Sequence, residues 1–127
     1  FTSRPPALRA SSGMAAFIDI KGIAANLQLY QAGISLSPGT RYRLSFYAKS
    51  NTSHDLSLDV LQHVSPFTNY GWSQRLANLT NSWQYFQFDF TSTNTSTVNN
   101  ARLRFWFPSY AKAGDEYFID SVSLTKL

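Results

Sequence analysis

Alternation of apolar and polar residues recurs along this chain and commits it to β structure. Tyr42, Leu44, Phe46 and Ala48 alternate with Arg43, Ser45, Tyr47 and Lys49. The same period of two runs through Leu56, Leu58 and Val60, through Phe86, Phe88 and Phe90, and through Leu103, Phe105 and Phe107. Phe118, Asp120, Val122 and Leu124 close the series, with Ile119 on the other face. Successive side chains of a strand point to opposite faces, so each run offers one face to a core and one to water. Earlier strands are expected at 15–20 and 26–31. Turn formers separate the runs at Ser37-Pro38-Gly39, Ser50-Asn51-Thr52, 78–82, 91–100 and Ala113-Gly114-Asp115. The 91–100 stretch reads as a polar loop. Gly22–Gln28 has some helical periodicity but is too short and Gly-opened, and no helix is expected. Short strands between regular turns describe an antiparallel β-sandwich.

Composition agrees. A chain of 127 residues, 43 % of them hydrophobic, is long enough for one domain with its own core. Only 14 % of the residues are charged, and Ser, Thr and Asn fill the gap left by the Glu and Lys of helical surfaces. The absence of Cys excludes a disulfide scaffold, a thiolate zinc site and a cysteine nucleophile. The net charge of +4 arises from 11 basic and 7 acidic residues scattered without a run, so no nucleic-acid partner is expected. No stretch approaches the ~20 apolar residues that span a membrane, and no membrane partner is expected. The chain starts at Phe1 without an initiator Met or signal peptide, which reads as a processed or excised piece of a larger protein.

Catalytic groupings are missing. His54 and His63 stand nine apart with no second ligand pair beside them, and no G-x-S-x-G motif occurs. Asp115-Glu116 is the one adjacent carboxylate pair, and neighbours in a strand point to opposite faces rather than across a glycosidic bond. The chain is not expected to be an enzyme. Sequons at Asn51, Asn78 and Asn94 are unremarkable in so Ser/Thr-rich a sequence.

The aromatic residues are in surplus: 10 Phe, 7 Tyr and 3 Trp make up 16 % of the chain. Most of the Phe belongs to the core runs, and Trp83, opening one of them, is expected to be buried. The remainder stands on the other faces. Asn26, Gln28 and Tyr30 share one parity, and Arg102, Arg104 and Trp106 share another. The segment from Pro66 to Trp72 holds Phe67, Tyr70 and Trp72 in a loop bounded by Pro and Gly. Loops avoid that much apolar surface unless it is used.

Four segments together resemble the carbohydrate-binding modules of the family 4/9/16/22 type, a galactose-binding-domain-like jelly roll. They are Leu36-Ser37-Pro38-Gly39 running into Tyr42-Arg43-Leu44-Ser45-Phe46-Tyr47-Ala48-Lys49; Ser82-Trp83-Gln84 before the Phe86 strand; the Arg102–Phe107 strand; and Gly114-Asp115-Glu116-Tyr117-Phe118-Ile119-Asp120-Ser121-Val122-Ser123-Leu124. The family's opening "N-G-x-F-E" strand is not seen, so the resemblance reads 1–127 as a single sandwich domain short of its first strand.

That resemblance implies a non-catalytic module. It would hold a polysaccharide or oligosaccharide, a soluble β-glycan of glucan, xylan or mannan type, across a concave sheet. It would target a linked polysaccharide-degrading domain in a secreted or cell-surface protein. By the same resemblance Gln28 falls at a polar cleft position, Phe67, Tyr70 and Trp72 on the aromatic-bearing loop, and Arg102 and Trp106 on the late cleft strand. Arg104 and His63 are placed beside them. Asp120 matches one ligand of a structural Ca²⁺, although the Glu that would share the ion is missing. The physics suits a sugar: a pyranose C–H face packs on a ring, and its hydroxyls need planar donors and acceptors. Other readings of the same residues stay open. Arg102 and Arg104 could be solvated partners of Asp59 or Asp89, and Phe67 could plug the end of the sandwich. A structural or adhesion sandwich would keep the fold without a working glycan site. A jelly-roll lyase would need Tyr, His and Arg around one pocket, with His63 and Arg102 the candidate pair.

Overall fold

Each alternating run becomes a strand in the computed structural model, which describes residues 2–4 and 15–127. In chain order the strands are β1 (Thr2–Arg4), β2 (Ala15–Asp19), β3 (Gln28–Leu36), β4 (Arg41–Ser50), β5 (Leu56–Gln62), β6 (Arg75–Ala77), β7 (Gln84–Thr91), β8 (Val98–Trp106) and β9 (Glu116–Lys126). They pair antiparallel into a five-stranded sheet, β1-β2-β9-β4-β7, and a four-stranded sheet, β3-β8-β5-β6. The fold is the expected all-β sandwich. No helix among the described residues is long and apolar enough to cross a membrane.

The inward faces are those the alternation picks. Leu44, Phe46 and Ala48 of β4, Leu56 and Leu58 of β5, and Phe105 of β8 are buried in one continuous core. Phe46 sits at its middle, stacked on Phe86 at 5.1 Å and edge-on to Phe105 of the facing sheet at 5.2 Å. Burying a side chain of this size contributes roughly 1.5–3 kcal/mol, so these few positions supply much of the net stability.

Three expectations need correction. In β9 the residues facing the core are Tyr117 and Ile119, followed by Leu124, not the even series from Phe118. The pairing of β9 with β4 slips between Ser45 and Tyr47, and Ser121 takes a left-handed φ of 55° there. A bulge of this kind inserts one residue and exchanges the faces. Trp83 is only half-buried, packed edge-on to Phe118 at 6.3 Å beneath the Lys49 ammonium. The polar stretch 91–100 is not all loop, because its last residues open β8. Asn94 is buried there and donates its amide to the Leu36 and Ser96 carbonyls, so the third sequon is not on the surface.

Candidate functional site

The outward face of the four-stranded sheet carries the polar parity of β3, β5 and β8. Register sets the rows: Gln28 and Ser57 lie opposite Trp106, Tyr30 and Asp59 opposite Arg104, and Leu61 opposite Arg102. The chain after β5 then doubles back along the same strand. The Tyr70 N–H donates to the Val60 carbonyl, the Val60 N–H to Trp72 and the Gln62 N–H to Thr68. This pinned segment forms a wall beside the sheet, and wall and sheet enclose a cleft of about 660 Å³. Gln28, Tyr30, Arg102 and Arg104 line it from the sheet, Asn26 from the turn before β3, and Phe67, Asn69, Trp72 and Ser73 from the wall. The volume lies within the range of small-ligand sites.

The wall holds its shape for identifiable reasons. Trp72 packs on Phe90 at 4.5 Å and edge-on to Phe88 at 5.8 Å, which ties the loop to the core. Gly71 passes so close to Phe90 that an added Cβ would come within 2.6 Å of its ring. Only glycine fits there. Phe67 and Gln74 bracket the wall with left-handed φ values of 57° and 56°. A bulky residue in that region is strained by roughly 1–2 kcal/mol, a cost that surrounding structure must hold in place.

One buried carboxylate organises the polar floor. Asp59 is 2 % exposed and accepts from Arg104 Nε at 2.8 Å and from the Gln74 N–H at 2.8 Å. It therefore joins β5, β8 and the far end of the wall. Arg104 in turn lies over the Trp106 ring, its guanidinium carbon 4.4 Å from the centroid. Arg102 is held differently, between rings: it stands 5.2 Å from Tyr30 and 5.8 Å from Phe67. Burial, then the neighbouring Arg104 charge, pull the Arg102 guanidinium below its ordinary range. Tyr30 also meets the His63 ring at 5.7 Å. Polar forks set between exposed rings present the groups that a sugar's hydroxyls and C–H face can use.

Of the residues singled out from sequence, the fold brings Gln28, Phe67, Trp72, Arg102 and Arg104 together in the cleft lining. Trp106 extends the same face past Arg104. His63 lies behind Tyr30, outside the lining, with Nδ1 buried. Tyr70 does not reach the cleft: it is 7 % exposed in the core, its hydroxyl donating to Asn100 Oδ1 at 3.2 Å. Arg104 does pair with Asp59, whereas Asp89 belongs to Arg43 on the other sheet. Asn26 and Tyr30, which share the parity of Gln28, and Asp59, read as one alternative partner of the arginines, join them; Leu61, Asn69 and Ser73 complete the cleft without having been singled out. Parity with Gln28 and Arg104 carries the signal for Tyr30 and Asp59, while the loop positions carry none.

Asp120 is buried on β9 opposite Tyr47. Among the described residues no three His, Cys, Asp or Glu side chains gather as a metal site.

A family model described as a carbohydrate binding domain matches residues 9–112. The chain belongs to that carbohydrate-binding domain family. Solved structures agree on the fold. A structure described as a CBM4 module superposes with a TM-score of 0.74 at 17 % identity, over 92 % of this chain and 86 % of the other. The N-terminal cellulose-binding domain of Cellulomonas fimi β-1,4-glucanase C gives 0.72 at 17 % identity, over 98 % and 87 %. A CBM61 module in complex with β-1,4-galactotriose gives 0.58 at 18 % identity, over 92 % and 73 %. No curated protein matches the chain significantly. This carbohydrate-binding domain thus has the family's jelly-roll sandwich, with a cleft on the outward face of the four-stranded sheet.

Proposed function

We propose that the cleft holds a soluble β-glycan chain of glucan, xylan or mannan type, and that the domain is a non-catalytic module. Its role would be to keep a linked polysaccharide-degrading domain of a secreted or cell-surface protein near its substrate, by raising the local concentration. One observation carries this reading. The exposed rings of Tyr30 (50 %) and Phe67 (53 %) stand on the sheet and on the wall of one cleft, on either side of the Arg102 guanidinium. Large exposed rings cost solvation unless something covers them, and a polar floor between rings fits a chain with two hydrophobic faces and equatorial hydroxyls.

Affinity electrophoresis and calorimetry against β-glucan, xylan and mannan test it. Retardation on at least one of them is expected, with affinity rising over the first several sugars and little binding of monosaccharide. Absence of retardation on every polymer, and on the uronate-bearing forms of the same chains, overturns the reading in favour of a structural or adhesion sandwich.

The juxtaposition of Tyr30, His63 and Arg102 favours a second reading, a lyase acting on the bound chain. The module reading is preferred because His63 lies outside the cleft lining and its Nδ1 is buried. Incubation of the protein with uronate-containing polymer is expected to release no unsaturated chain ends. Their release, lost in His63→Ala, would establish the lyase instead.

A further inference from the structure

The cleft is built with one more positive charge than it neutralises. Its lining holds two guanidiniums, Arg102 and Arg104, against the single carboxylate of Asp59. Asp59 is committed to Arg104 and to the Gln74 N–H. Arg102 has no carboxylate within 4 Å among the described residues, and its Nε is buried without a hydrogen-bond partner. The faces of Tyr30 and Phe67 accompany it. The other polar side chains of the lining, Asn26, Gln28, Asn69 and Ser73, are neutral.

Leaving a half-buried cation with ring faces alone is unfavourable, because stacking replaces only part of its lost hydration. With Nε buried beside two rings, the terminal N–H groups of the guanidinium are the fork left to face a ligand. That arrangement matches a planar carboxylate, which can accept two parallel bonds, better than a neutral hydroxyl. Resting on the glycan-binding reading of the cleft, we infer that it prefers an acidic chain, with a uronate carboxylate seated on Arg102 between Tyr30 and Phe67. The net charge of +4 adds a weak long-range attraction for such a polymer.

The test compares matched chains that differ only at the carboxylate. Three pairs serve: β-1,4-glucuronan against cello-oligosaccharide of equal length, mannuronan against manno-oligosaccharide, and glucuronoxylan before and after carboxyl reduction. In at least one pair the uronate form is expected to bind about 10–100-fold tighter, as a charge-assisted bond replaces a neutral one. That excess shrinks as salt rises. Arg102→Gln is expected to bring the two affinities together, and Arg102→Lys to recover part of the gap, since charge without the planar fork remains.

The outcomes separate the two readings. If neutral chains bind and their uronate partners bind no tighter, the acidic preference is overturned while the glycan cleft stands. Binding of neither member of any pair removes both. Equal binding of dextran sulfate marks ion exchange and overturns carboxylate recognition. Should Arg102→Gln fail to fold, the wild-type gap and its salt dependence decide the matter.

Discussion

Tyr30 and Trp72 both line the cleft, yet substituting them should have opposite secondary effects. Tyr30 is half-exposed at the sheet surface, so Tyr30→Ala is expected to lower glycan affinity about 5–30-fold with the melting temperature nearly unchanged. Trp72 packs on Phe88 and Phe90, so Trp72→Ala is expected to lower affinity and also to cost about 3 kcal/mol of stability. Calorimetric titration beside urea unfolding separates the two. Asp59 makes a third case. Asp59→Ala leaves Arg104 half-buried without its carboxylate, a loss of about 3–5 kcal/mol by urea unfolding. That Gln28, Arg102 and Arg104 face the cleft is legible in the sequence because strand parity, once a core face is known, assigns every other residue. Tyr70 was misplaced because it lies in a loop, where no period distinguishes a ring facing the core from one facing the cleft. Asp59 was read only as one of two alternative partners, since nothing local reveals that β5 and β8 set it opposite Arg104.

At the scale of elements, the wall is where the cleft is made or lost. Its backbone donates to and accepts from β5, and Gly71 lets it approach Phe90 without a side chain between them. Gly71→Ala places a methyl where the Phe90 ring already is, and overpacking of this kind costs about 1–3 kcal/mol. The wall is expected to lift, so glycan affinity falls together with stability, although Gly71 itself presents no side chain to the ligand. Retained affinity in a folded Gly71→Ala protein would show that the cleft does not depend on this contact. The loop holding Gly71 was legible as aromatic-bearing and bounded by Pro and Gly, but the physical reason for this glycine was not. The close approach of Gly71 to Phe90 joins residues far apart in sequence. The β9 bulge escaped notice for a similar cause, because Ser121 is an unexceptional residue whose left-handed backbone is imposed by pairing with β4.

At the scale of the molecule, the two sheets are tied together outside the core by a polar latch. The β4–β5 turn carries the chain from one sheet to the other, and four of its residues, Asn51, Thr52, His54 and Asp55, engage β9 and the turn before it. Thr52 Oγ1 and His54 Nδ1 donate to the Asp115 carboxylate at 2.8 and 2.6 Å, and the Asp55 carbonyl accepts from the Tyr117 hydroxyl at 2.9 Å. The Lys112 N–H donates to Asp115 as well, at 2.8 Å. Burial alone would push the Asp115 carboxyl up, since it is 2 % exposed. The Lys112, His54 and Thr52 donors outweigh burial together and hold it below its ordinary value. A depressed folded value means the unfolded chain binds the proton first. The stabilisation is therefore complete above the unfolded carboxyl range, about pH 4, and is lost as pH falls through the lower folded value. Asp115→Asn removes the charge but keeps the size, and is expected to cost about 1–3 kcal/mol at neutral pH. Its stability should then fall less steeply than wild type on acidification. Urea unfolding at steps from pH 7 to about pH 3 reads both effects, and parallel wild-type and variant curves would show that Asp115 is not the latch's titrating group. Because β5 leaves this turn to carry Asp59 into the cleft, loss of the latch and loss of glycan binding on acidification are expected in a single transition.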